Sequence, residues 1–190
     1  MNLIRAIVLL GLMQALSTQH EQAVKDSPGL FDVAASKGVK EFGAGVEGTF
    51  LHTFTRAGTR RETLVLLAGA VFQTDSMTAI PSRCVSLVAA MPFNLGDGAV
   101  LKIIANDETR QQPVFQLSLD PAHVRADRKW LPVRFDIPAV MNHVVLRFEV
   151  TAGPRGDQTG DWIGLAPGSE PGCLFAEARP PLSRFAQKVP

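Results

Sequence analysis

The nine residues Gly153–Asp161 (GPRGDQTGD) put a planar cation, two carboxylates and an amide on one connection between strands. Arg155 offers a fork of N–H donors, Asp157 an acceptor, and Gln158 both, which suits the hydroxyl and acidic groups of a ligand. A connection this long exceeds a tight hairpin, and long loops on rigid scaffolds tend to carry function. Asp157 and Asp161, four apart among glycines, are also the oxygen donors that a calcium ion takes. Their spacing fits no defined calcium loop, so capping of backbone N–H groups is the first reading for both and metal ligation the second.

Other candidate chemistry is weaker. Trp130 and Trp162 have flat apolar faces that match the C–H side of a pyranose. Each begins a strand beside alternating core residues, so closing the end of the core is the favoured role of both; Trp130 stays among the candidate ligand contacts. His20, His52, His123 and His143 are scattered, with no two at ligand spacing. No G-x-S-x-G occurs, and the serines in PSRC and PGSEP lie in turns without a paired base. Two of Asp120, Asp136, Glu149 and Asp161 could face each other for glycoside hydrolysis. Asp136 and Glu149, however, read as outward residues of adjacent strands beside Arg134 and Arg147, and cross-strand ion pairs account for that pattern. No glycine-rich loop precedes a helix to cradle a phosphate.

The chain has 190 residues and a formal charge of +1. Its basic residues do not run together beyond Thr59-Arg60-Arg61, which argues against nucleic acid or an anionic membrane as partner. Arg5, the apolar Ala6–Met13 and the small-x-small Ala15-Leu16-Ser17 have the form of a signal peptide, 1–17. The apolar run is shorter than the roughly 20 residues of a membrane span. A periplasmic or extracellular location follows. In that setting Cys84 and Cys173, the only two cysteines, are expected to form a disulfide.

These residues need a scaffold, and the periodicity supplies one. Leu131, Val133, Phe135 and Ile137 alternate with Pro132, Arg134 and Asp136, and Val144, Leu146, Phe148 and Val150 alternate with Arg147 and Glu149. A period of two with one apolar face marks half-buried antiparallel strands. Further strands are expected at Thr49–Phe54, Thr63–Phe72 (a long central strand), Cys84–Met91, Ala99–Ala105, Val114–Leu119 and Trp162–Leu165. Asn94–Gly98 (NLGDG) reads as a hairpin turn joining two of them. Cys173–Ala176 reads as an edge strand, and a weak helical pattern surrounds Phe31–Ala35. The boundaries are a signal segment 1–17, an irregular lead-in 18–48, a β-sandwich 49–178 and a proline-rich tail 179–190. About eight short strands without a long amphipathic helix indicate an all-β, two-sheet antiparallel sandwich or a barrel.

The NLGDG turn, Trp130 before Val133–Ile137, the VLRFE strand at Val145–Glu149 and the Gly153–Trp162 loop together resemble the galactose-binding-like jelly-roll modules. These are carbohydrate-binding-module-like accessory domains of bacterial secreted proteins. The resemblance spans Leu64–Gly168. It implies a jelly-roll β-sandwich, a fold with lectin-like, adhesive and purely structural members, and it strengthens the structural-calcium reading. The chain departs from a sugar binder's habit in having no tyrosine and only 7% aromatic residues.

The expected function is therefore an exported binding module for carbohydrate or a cell-envelope component, through Trp130, Arg155, Asp157 and Gln158. Asp157 and Asp161 are the metal candidates, and no other cofactor is expected. A structural or protein-interaction sandwich is the first alternative, and a small secreted hydrolase the second.

Overall fold

The computed structural model describes residues 29–40, 48–77, 82–156 and 158–177. The signal segment, the proline-rich tail and Asp157 lie outside the described residues.

A short helix α1 (Leu30–Ser36) opens the described chain, with the Gly29 amide donating to Asp32 at 2.9 Å. It buries Leu30, Val33 and Ala34 against the core. Nine strands follow: β1 (Thr49–Arg56), β2 (Thr59–Leu67), β3 (Val71–Gln73), β4 (Cys84–Ala90), β5 (Ala99–Asn106), β6 (Gln111–Leu119), β7 (Leu131–Asp136), β8 (Val145–Ala152) and β9 (Trp162–Pro167). They form two antiparallel sheets, ordered β1-β2-β9-β4-β7 and β3-β8-β5-β6. The fold is an all-β sandwich.

The core lies between the sheets, and the alternation in the sequence builds it. In β8, Leu146, Phe148 and Val150 are almost wholly buried while Arg147, Glu149 and Thr151 face outward. In β7, Val133 and Phe135 point inward and Arg134 outward. Each fully buried large apolar side chain stabilises by about 1.5–3 kcal/mol. Cys84 and Cys173 are joined, with Cα atoms 4.7 Å apart. Backbone bonds seat the bridge: the Leu174 amide donates to the Cys84 carbonyl (2.8 Å), and the Ser86 amide to the Leu174 carbonyl (3.0 Å).

Four expectations about strands need correction. The run Thr63–Phe72 is two strands in different sheets, because the chain turns at Gly69 (φ +90°) and crosses the sandwich. The run reads as unbroken because Val65, on the outer face of its sheet, is as buried as Leu64 and Leu66. Asn94–Gly98 is a corner between sheets, since β4 pairs with β7 and β9 while β5 pairs with β6 and β8. Asp136 and Glu149 sit on different sheets. Their neighbours pair otherwise, Arg147 with Glu149 (2.7 Å) and Arg134 with Glu170 (3.0 Å). Finally, Cys173–Ala176 contributes isolated parallel bridges, Val85 to Leu174 and Gly168 to Ala176, and no strand.

Candidate functional site

Two loops meet at one end of the sandwich, Met91–Gly98 and Gly153–Asp161, and two buried carboxylates pin them. Asp97 is 5% exposed and Asp161 fully buried. Asp97 Oδ2 accepts the Arg155 amide, and Asp161 Oδ2 accepts the Gly153 amide at 3.3 Å. The Asp161 carbonyl also takes the Ala68 amide at 2.9 Å. Glycine is required at the contact: a Cβ on Gly96 (φ +77°) would fall 2.4 Å from Asp161 Oδ1 and 2.9 Å from the Thr159 carbonyl. Amides donated to buried carboxylates tie the two loops together.

Onto that frame the loops project Phe93 (39% exposed), Leu95 (60%), Gln158 and Arg155. The Arg155 side chain is 70% exposed, with Nε 3.8 Å from Asp97 Oδ2, so its outer N–H edge faces solvent. Phe93 packs edge-on against Trp162, with centroids 5.1 Å apart, and Phe50 does the same from the other side at 5.7 Å. Beneath, Arg56 ties the loop to β1. Its Nη2 donates to the Phe93 carbonyl and its Nη1 to Asn94 Oδ1, both at 2.8 Å, and its Nε to the Met91 carbonyl.

Neither tryptophan closes the inter-sheet core. Leu131 and Ile163 are the inward residues, and period two puts Trp130 and Trp162 on the outer face of the five-stranded sheet. Trp162 stands at the loop pair. Trp130 lies two strand positions further along, where its ring stacks on Phe54 (4.9 Å, 23°) and its indole N–H donates to the Thr59 carbonyl at 3.0 Å. The Arg61 guanidinium sits 5.8 Å from the Trp130 centroid. Arg61 also borders an open groove of about 400 Å³, lined further by Phe31, Arg60, Glu62, Pro167 and Glu177. That groove is separate from the loop pair.

The structure thus brings Arg155, Gln158 and Asp161 to one place and leaves Trp130 out of it. Asp161 is a buried pin of the loop. Sequence reasoning missed Asp97, Phe93 and Arg56. Asp97 stood in plain view inside NLGDG, but an Asp-Gly pair reads as a turn and hides a partner 58 residues away.

Calcium would find hard oxygen donors here. Asp97 Oδ1 is buried without a hydrogen-bond partner among the described residues, which a cation would satisfy. Yet no three histidine, cysteine or acidic side chains converge at this loop pair among the described residues. The group of three that does converge, Cys84, Glu170 and Cys173, includes the disulfide. Among the described residues the loop pair therefore supplies two carboxylates, Asp97 and Asp161, each with one oxygen already on an amide.

No family model and no curated protein matches the chain. Among solved structures the chain is similar to CBM51 from Clostridium perfringens GH95 in complex with methyl-galactose. The sequence identity is 10%, with 61% of this chain and 77% of that chain covered and a TM-score of 0.40. At that distance no residue correspondence and no ligand carries over. Among the described residues, no helix is long and apolar enough to cross a membrane.

Proposed function

We propose that the chain is an exported, non-catalytic binding module for carbohydrate or a cell-envelope component, and that it binds at the loop pair. The observation that carries this reading is that buried Asp97 holds the Arg155 backbone to the loop that carries Phe93, which packs on Trp162. Partly exposed aromatic faces suit the apolar side of a sugar ring, and a guanidinium fork beside the Gln158 amide suits its hydroxyls. Pinned loops lose little freedom on binding, which favours affinity. The disulfide and the signal-peptide pattern support export.

The test is a glycan array on the mature protein, followed by titration of the best ligand. Phe93→Ala and Arg155→Ala should each weaken binding at least tenfold while leaving the melting temperature nearly unchanged, because both side chains are exposed. An empty array, or two variants that bind as well as the parent, would remove the loop pair from consideration.

A further inference from the structure

β2 pairs with β9 only from Leu64 to Leu67, whereas β4 stays paired with β9 as far as Pro167. The start of β2 therefore parts from the end of β9, and the open groove of about 400 Å³ lies at that gap. Its volume falls in the range of about 300–1,000 Å³ usual for small-molecule sites. Successive residues of an antiparallel strand turn their backbone groups to opposite sides. The Leu67 amide reaches the Gly48 carbonyl on the β1 side, and the Ala68 amide reaches the Asp161 carbonyl on the β9 side. Arg60 and Glu62 share the parity of Ala68. Their N–H and C=O groups thus face the gap, where β9 offers them no partner.

Side chains complete a hydrogen-bonding lining. Arg60 and Glu62 are exposed, and Arg61 Nη1 donates to Glu177 Oε1 at 2.5 Å and to the Pro167 carbonyl at 3.3 Å. Arg61 Nε is buried with no hydrogen-bond partner among the described residues, so one donor of this lining residue is unmet. Phe31, partly buried on α1, and Pro167 supply the apolar part. Trp130 stands at the margin, with its indole N–H on the Thr59 carbonyl and the Arg61 guanidinium 5.8 Å from its ring centroid. The charges of the lining cancel, Arg60 and Arg61 against Glu62 and Glu177. Such a lining has no net charge to select an ion. Its interleaved donors and acceptors suit the hydroxyl groups of a neutral ring.

We propose that this groove is a second saccharide site, and that it takes a neutral sugar ring. The proposal rests on the binding reading above for the class of its ligand, and not on the loop pair for its place. Arg60 and Glu62 alone present backbone too short for an added peptide strand, which runs to about 3 residues or more. A pyranose can set its C–H face against Phe31 and meet the polar lining with its hydroxyls. Two separated sites would hold a branched or repeating glycan at two points, so avidity would exceed either affinity alone.

The two tryptophans separate the sites, Trp130 beside the groove and Trp162 at the loop pair. Their indole N–H resonances in NMR spectra therefore report each site by itself. Galactose, glucose, mannose and N-acetylglucosamine are titrated, with galacturonate as the charged control, against the unaltered protein, Arg60→Gln and Glu62→Gln. Trp130→Phe assigns the two resonances, and melting curves confirm that each variant is folded. The expected result is a saturable shift of the Trp130 resonance with at least one neutral sugar. Arg60→Gln and Glu62→Gln should each weaken that response at least tenfold while leaving any Trp162 response at the parent's midpoint. A Trp162 response without a Trp130 response overturns the inference and leaves the loop-pair reading standing. A Trp130 midpoint unchanged in both variants, or tighter for galacturonate than for every neutral sugar, also overturns it. Sugars that move neither indole overturn it too, and together with an empty glycan array they remove the binding reading itself.

Discussion

Gly164→Ala tests the aromatic layer on the outer face of the five-stranded sheet. Gly164 sits mid-strand in β9, paired with Val65 on one side and Ala90 on the other, so its backbone has little room to shift. A Cβ there would fall 2.5 Å from Phe54 Cε1, 2.7 Å from Phe54 Cζ and 3.3 Å from the Cβ of the fully buried Thr63. The Phe54 ring must therefore move, and it stacks on Trp130. Overpacking costs about 1–3 kcal/mol, and a disturbed aromatic pair about 0.5–1.5 kcal/mol more. Replacing glycine returns about 0.4–1 kcal/mol through the unfolded chain. The net expectation is a loss of about 1–3 kcal/mol, or about 2–4 °C of melting temperature for each kcal/mol at this chain length. Urea unfolding, followed by tryptophan fluorescence, reads both the stability and the surroundings of Trp130. Phe54→Leu in the same chain should relieve the clash, so the double variant should lose less than the two single losses added. A Gly164→Ala protein with unchanged stability and emission would falsify this account of the outer face, as would strict additivity.

Four further outcomes are expected. Leu146→Ala and Phe135→Ala should each destabilise by about 2–5 kcal/mol, whereas Arg134→Ala, exposed and paired only with Glu170, should cost under about 1 kcal/mol; equal denaturation midpoints for all three would mean that the buried face of β7 is wrongly assigned. Replacing both Cys84 and Cys173 by serine opens a link between residues 89 apart, worth up to about 4–5 kcal/mol in the chain-entropy model, so a melting temperature equal to the parent's would contradict it. Hydrogen bonds from Lys37 and Ser36 hold the Asp75 carboxyl below the usual range, and the Thr109 amide does the same for Asp107. Burial pushes Asp120 up, but bonds from His123 outweigh it and the net shift is also downward. Folded values below unfolded ones give stability that is full above about pH 4 and lost as pH falls through the folded values, so acid melting curves should decline there and not before. Chelator should lower the melting temperature, and added calcium restore it, if an ion answers Asp97 Oδ1; no response to either assigns the loop pair to hydrogen bonding alone.

What the sequence made legible follows from how many faces of a strand are covered. β7 and β8 each bury one face, so Val133 and Phe135, or Leu146 and Phe148, stand out against charged neighbours. β2 is covered on both faces, the outer one beneath an aromatic layer, so Leu64, Val65 and Leu66 form a plain apolar run in which the corner at Gly69 leaves no break. The tryptophans were legible as strand starters, but their face was not. One position separates Trp162 from the inward Ile163, and with a period of two that position decides everything. The site was harder, because its contacts join residues far apart in sequence: Asp97 with Arg155, Arg56 with Phe93. Local patterns identify Arg155 as available for chemistry. They cannot show which carboxylate holds it.

Arg56 explains how the loop pair is held to the sheet beneath it. It ends β1 on the outer face, and three donors of its guanidinium hold the backbone or side chain of the loop that carries Phe93. A buried arginine bound only to neutral oxygens is costly to keep, and a packed apolar residue could fill the space without that cost. Its presence is explained by the loop above it, whose backbone it fixes beneath the Phe93–Trp162 pair.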